Sequence, residues 1–245
     1  MSNWIIVPVL NGLHYTRDAV ADFLAQDIGD VEVLVVANSP TDGTMEWLRT
    51  QPRNVHVMHF APPRSVAYSW NRALEHVFGL GEQHALVVNN DVRIRPDTYR
   101  RLVEDGGPFV TAVGVSDPKA INPPYLKPTA PKRPHPDFSC FLISKETWKT
   151  VGAFDEKFLG AYAEDWDYHV RLHKAGIEAQ CLDLPFLHFA SGTIKSTENE
   201  EVDAIHARAA ANRKYFKEKW GVDGGSKEYS ALFGHETLTG EPVAV

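Results

Sequence analysis

Asn89, Asn90 and Asp91 stand directly behind the apolar run Ala85-Leu86-Val87-Val88, so two amides and a carboxylate sit where that run stops. The run is short and β-branched, as in a strand covered on both faces. Ligands of open α/β sheets bind outside the carboxyl ends of strands, which is where Asp91 falls. One hard carboxylate there suits a divalent cation carrying phosphate oxygens, because magnesium-like ions take one or two protein carboxylates and fill the rest with phosphate and water. The same tripeptide also reads as a plain turn. A second group of acids, Glu164-Asp165-Trp166-Asp167, precedes a helix expected from about Trp166 to Ala175 and ended by Gly176. The helix dipole favours acids in a first turn, so capping accounts for one or two of them. A third, facing a ligand, is available for proton transfer, and crowded acids raise one another's pKa towards the working range. His188, beside the turn Phe189 to Thr193, is a further candidate that reads equally as a surface histidine. Lys195 fits either a diphosphate contact or a solvated surface. His169 and His173 are four apart, but Val170 stands where zinc proteases place a glutamate, so both read as packed or solvated.

These groups need a sheet to position them. Trp4 to Val9 reads as a buried first strand, Val31 to Val36 as a second and Val55 to Phe60 as a third, with helical spacing between them at Ala19, Val20, Phe23 and Leu24. Ser39, Pro40 and Asp42 fit the N-cap, first-turn proline and capping acid of a helix through Met45, Trp47 and Leu48. Ser65 to Phe78 is helical by pattern. Strands alternating with helices predict a mostly parallel sheet wound with helices. No Gly-x-Gly-x-x-Gly follows the first strand, and no Gly-x-x-x-x-Gly-Lys-Ser/Thr occurs, so nicotinamide and P-loop signatures are missing. Residues 117–136 hold seven prolines between Pro118 and Pro136, and regular structure is not expected there; the stretch reads as a lid or acceptor-facing loop, or as a solvated excursion. A strand at Phe138 to Ile143, a helix at Glu146 to Val151, a strand at Ile177 to Leu184 and a helix at Glu198 to Trp220 follow. Beyond Gly221 the tail is either flexible or folded back on Tyr229, Leu232 and Phe233.

The chain has 245 residues, enough to bury a substantial core. A net charge of -7 argues against general nucleic-acid binding or an anionic membrane surface. Two cysteines make no disulfide framework and fit a reducing compartment, and no apolar run is long enough to span a bilayer, so a cytoplasmic protein without a transmembrane segment is expected.

In order, Ile5 to Gly12, Val35 to Thr44, Val88-Asn89-Asn90-Asp91, Gly152 to Glu156, Glu164 to Asp167 and His188 to Thr193 resemble the family 2 glycosyltransferases of the GT-A fold. Each motif is weak alone; six in sequence are specific, and they cover roughly residues 4 to 195. The resemblance implies an α/β fold, a Rossmann-like, mostly parallel central sheet flanked by helices in a single domain, 1–220. Within it, 1–115 would be the nucleotide-sugar-binding half, 117–136 the proline-rich loop and 137–195 the acceptor and catalytic half, with 221–245 as tail.

It further implies transfer of a sugar from a nucleotide-diphosphate sugar to an acceptor hydroxyl, by inversion. Asp91 would end the Asp-x-Asp-type motif holding Mn2+ or Mg2+ on the diphosphate, with Asn89 in place of the first acid. His188 would complete the metal site. Asp165 would be the base, with Glu164 beside it. Pro8, Asn38, Arg64 and Asn90 would contact the nucleotide-sugar. The family usually carries an acid where Ala37 stands, which leaves the donor base open. The acceptor is equally open among glycan, lipid-linked, protein, small-molecule and modified nucleic-acid acceptors. Two other readings compete. A sugar nucleotidylyltransferase would need a Gly-rich, Arg-containing loop where Leu10 to His14 stand. A non-catalytic carbohydrate- or nucleotide-sugar-binding protein would tolerate Ala37 and Asn89.

Overall fold

The computed structural model describes residues 2–126, 132–133, 136–189 and 199–233. Its centre is β1 (Asn3–Val9), parallel on one side to β2 (Val31–Asn38) and on the other to β4 (His84–Val88). β3 (Val55–Phe60) extends the parallel half beyond β2. On the far side of β4 the sheet becomes mixed. β8 (Cys140–Ser144) is antiparallel to β4, β6 (Phe109–Val115) is antiparallel to β8, and β9 (Gln180–His188) is parallel to β6. β5 (Val92–Arg93) closes the order β3-β2-β1-β4-β8-β6-β9-β5, and β7 (Lys132–Arg133) pairs with β9 off that path.

The two-residue period of β1 explains why it is apolar throughout. Ile5, Val7 and Val9 enter one core and Trp4 and Ile6 the other. The first core is covered by α1 (Leu13–Leu24), α2 (Thr44–Leu48) and α4 (Thr98–Asp105). The second is covered by α3 (Val66–Gly79), α5 (Lys145–Val151) and α6 (Glu164–Lys174). A third cluster, with Phe158, Val170, Phe216, Val222 and Tyr229, docks α7 (Asn199–Trp220) and α8 (Lys227–Phe233) onto α6. The tail therefore folds back as far as Phe233, and Tyr229 is its anchor.

Four local expectations are corrected. The last strand runs from Gln180 to His188 rather than stopping at Leu184, because Pro185 falls beside the register irregularity between β6 and β9, where its missing N–H is tolerated. α6 begins at Glu164, ahead of Trp166. α2 starts after Gly43 in the left-handed conformation and is not capped by Ser39. The proline-rich stretch does hold regular structure: a 3-10 turn at Pro118–Ala120, and β7, which forms because the edge of β9 offers partners at Cys181 and Leu182. Residues 127–131 and 134–135 of that stretch, and residues 190–198 with Thr193 and Lys195, lie outside the described residues.

Candidate active site

β4 ends at Val88, and the chain is then pinned to its neighbours. The Asn89 N–H donates to Ser139 O at 3.0 Å. Asn90 Nδ2 donates to Asn11 O at 3.0 Å and Thr16 Oγ1 at 3.1 Å, tying this turn to the first turn of α1. Asn90 thus shapes the turn through its amide. Asp91 follows and is almost fully buried. The pairing of Val92 with His188 across β5 and β9 then places His188 beside it, with Nε2 3.6 Å from Asp91 Oδ1. That separation is an ion-pair contact rather than a hydrogen bond. Burial lowers the His188 pKa, but contact with Asp91, the Asp91 charge and the charge of Asp137 outweigh it, and the net direction is up. Asp137 is itself held by Gly114 N at 2.8 Å and Ser139 N at 3.0 Å.

Asp91 and His188 fit a divalent cation. A hard carboxylate and an imidazole suit Mn2+ or Mg2+, and neither ion needs a complete protein cage. Among the described residues no group of three or more His, Cys, Asp or Glu side chains surrounds such a site. The remaining positions would go to diphosphate oxygens and water.

Asn38, at the end of β2, does something the motif does not advertise. Its Nδ2 donates to Arg64 O at 2.7 Å and its Oδ1 accepts from Arg64 N at 2.6 Å, a two-point clamp on the backbone entering α3. The amide thereby positions Arg64, whose guanidinium is exposed and lies 5.3 Å from the Tyr68 ring centroid. Ala37 is fully buried in the core. Pro8 is half-buried opposite Val36, past the point where β1 and β4 pair.

The acid pair opens α6. Glu164 is 6 % exposed, whereas Asp165 is half-buried, with Oδ1 accepting from Trp166 N at 2.8 Å. Burial first, and the Asp165 charge second, push the Glu164 pKa up; backbone amides of Glu164 and Tyr162 only partly offset this. Burial therefore favours the protonated form of Glu164, and Asp165 is the more accessible of the two acids. The preceding loop is tied to α3 by Val66 N donating to Gly160 O at 2.7 Å, so the Arg64 and Glu164 segments share a support.

Asp42, expected as a capping acid for α2, does accept from Thr44 N at 3.3 Å through Oδ1, and its Oδ2 also accepts from Gly12 N at 2.6 Å and Leu13 N at 2.7 Å, capping α1. Its Oδ1 takes the Thr44 hydroxyl at 2.6 Å. A cavity of about 500 Å³ beside that first turn is lined by Gly12, Leu13, His14, Arg17, Asp18 and Asp42, and includes none of the expected site residues Pro8, Asn38, Arg64, Asn90, Asp91, Glu164, Asp165 and His188. Sequence reasoning missed Asp137 and Asn212. The first was hidden at the end of a proline-rich stretch, and the second is one polar residue in a long helix.

Against known proteins, the sequence model described as Glycosyl transferase family 2 matches residues 4–106, the segment from β1 through α4 that includes Asp91. That segment, somewhat under half of the chain, is similar to glycosyl transferase family 2. No curated protein matches this chain in sequence. Residues 1–349 of S. aureus TarS are 17 % identical, with a TM-score of 0.58 over 90 % of this chain and 74 % of that one. The same fragment in complex with UDP is 16 % identical, with a TM-score of 0.59 over 94 % and 77 %. The mannosyltransferase PcManGT from Pyrobaculum calidifontis, in complex with GDP-Man and Mn2+, is 17 % identical, with a TM-score of 0.56 over 94 % and 78 %. At these identities the likeness carries the fold, which is GT-A. Among the described residues no helix is long and apolar enough to cross a membrane.

Proposed function

We propose that this glycosyltransferase moves a sugar from a nucleotide-diphosphate sugar to an acceptor hydroxyl with inversion, in a divalent-metal-dependent reaction. The observation that carries the reading is the juxtaposition of Asp91 and His188 just past the carboxyl end of β4. They would hold the cation, which when bound neutralises charge on the leaving diphosphate. Asn90 keeps that turn against α1, while Pro8 and Arg64 border the nucleotide, with Arg64 held in place by Asn38. Asp165 takes the proton of the acceptor hydroxyl. Glu164, neutral beside it, avoids a second charge at the same point. Direct displacement needs no covalent nucleophile. The neighbour bound to GDP-Man and Mn2+ and the one bound to UDP support a nucleotide-sugar donor and a metal. The acceptor is any of the glycan, lipid-linked, protein or small-molecule classes. Cys140 and Cys181 are buried thiols, which supports a reducing, cytoplasmic setting.

One observation favours a second reading, a non-catalytic nucleotide-sugar-binding protein. Ala37 is locked in the core and the Asn38 amide is engaged by Arg64, which weakens the usual contacts to the donor base. Calorimetric titration of UDP, GDP, dTDP and CDP, with and without Mn2+, separates the readings when wild type and Asp91→Ala are run together. Metal-dependent binding of one nucleotide, lost in Asp91→Ala, is the expected result. A folded protein that binds none of the four overturns the transferase reading.

A further inference from the structure

Two consecutive non-glycine residues, Tyr162 and Ala163, adopt left-handed backbone, with φ of 81° and 73°, immediately before Glu164. Such conformations are uncommon without glycine and persist only where the surroundings over-determine them. The surroundings here are dominated by one side chain from the other end of the chain. Asn212 of α7 is 3 % exposed and turned onto this loop. Its Nδ2 donates to Leu159 O at 2.9 Å, Ala161 O at 3.0 Å and Tyr162 O at 3.0 Å, and its Oδ1 accepts from Leu159 N at 3.0 Å. Two N–H groups thus serve three carbonyls, with one shared. Only a short amide combines donors and an acceptor at this reach.

The helix carrying Asn212 is fastened to α6 at its far end. Trp220 Nε1 and Lys219 Nζ reach Asp167 at 2.9 and 2.6 Å, and Lys219 also reaches Asp155 at 2.7 Å. Arg208 of the same helix lies where a Cβ on Gly160 would meet its Cδ at 3.2 Å. α7 therefore grips both the loop before Glu164 and Asp165 and the helix whose first residues they are.

We propose that Asn212 is a positioning residue for the Glu164–Asp165 pair: it holds Tyr162 and Ala163 in the left-handed turn from which α6 starts, and so sets where the two carboxyls point. Asn212 lies well outside the segment matched by the family model. The proposal rests on the reading of Asp165 as the base.

The test uses the whole chain as wild type, Asn212→Leu, and Asn212→Leu combined with Ala163→Gly. Glycine adopts the left-handed conformation at no steric cost, so the second change supplies by itself what the clamp enforced. Carboxyl-detected NMR titration follows Glu164, and release of UDP or GDP from UDP-glucose and GDP-mannose, with water as acceptor, follows turnover. In Asn212→Leu the Glu164 midpoint is expected to drop by about one pH unit towards the ordinary range as the loop relaxes. Turnover is expected to fall roughly tenfold while manganese-dependent nucleotide affinity holds, because misplacement of a reacting group costs rate rather than binding. Ala163→Gly restores both readouts. A folded Asn212→Leu with the wild-type midpoint overturns the proposal, as does failure of Ala163→Gly to restore it. Should Asn212→Leu not fold, Asn212→Ser is judged by the same two outcomes. Asp165→Asn keeps the two readings apart. Undiminished release in that variant, or no release by wild type, sinks the assignment of the base, while the Glu164 titration still decides whether Asn212 positions the pair.

Discussion

Replacing Asp167 by alanine is expected to destabilise the protein by about 3 kcal/mol, towards the low end of the ~3–5 kcal/mol typical when a buried ion pair loses one partner. The carboxylate is fully buried and accepts from Arg171 Nε at 2.9 Å, Trp220 Nε1 at 2.9 Å and Lys219 Nζ at 2.6 Å. The low end applies because two of those donors keep other partners. Lys219 still meets Asp155 at 2.7 Å, and Arg171 still reaches Val151 O at 3.1 Å and Ala153 O at 2.8 Å. The indole N–H of the half-buried Trp220 loses the acceptor that holds it, at a cost towards the low end of the ~1–3 kcal/mol of a buried donor, and the rest comes from partial loss of charge pairing. For a chain of this size each kcal/mol moves Tm by roughly 2–4 °C, so a drop of about 6–12 °C is expected. Urea denaturation checks it as a shift in midpoint at unchanged slope. Asp167→Asn, which keeps an acceptor for Trp220 but drops the charge, should cost about half as much. A loss below about 1 kcal/mol in Asp167→Ala would show that α7 is held by its apolar cluster alone and refute this account.

Two further outcomes follow from acids whose titration is perturbed. Asp42→Ala removes the cap from α1 and should cost about 1–2 kcal/mol in denaturant titrations near neutral pH. Burial raises the Asp42 pKa, but hydrogen bonds from Thr44, Leu13 and Gly12 outweigh it, and the net direction is down. Its contribution is therefore present above the unfolded value and lost as pH falls through the folded one, so the gap between wild type and variant should narrow below about pH 4; a constant gap would refute the capping role. Glu164 behaves oppositely. Its folded pKa is raised, so between the unfolded and folded values the unfolded chain holds fewer protons and stability falls as pH rises. Glu164→Gln should flatten that fall when urea midpoints at about pH 5 and about pH 8 are compared, and an unchanged slope would count against a buried, proton-retaining Glu164.

Local pattern made much of this protein readable. β1 to β4, the helix behind Ser65 and the position of Asp91 at a strand end all follow from apolar periodicity and short turn signals, which depend only on neighbours in the chain. Side-chain roles were less readable, because a polar side chain's partner is set by what docks against it. No local spacing announces that Asn38 clamps the Arg64 backbone, or that Asp42, besides bonding Thr44 at the start of α2, caps α1. The sequence by itself determined the alternation of strands and helices, the likeness to a family and the candidate acids. Only the tertiary structure decided that β5 and β9 bring Asp91 to His188, and that Asn212 from α7 closes on the loop before Glu164. Such pairings depend on strand register and helix docking between segments far apart in the chain, and no local spacing encodes them.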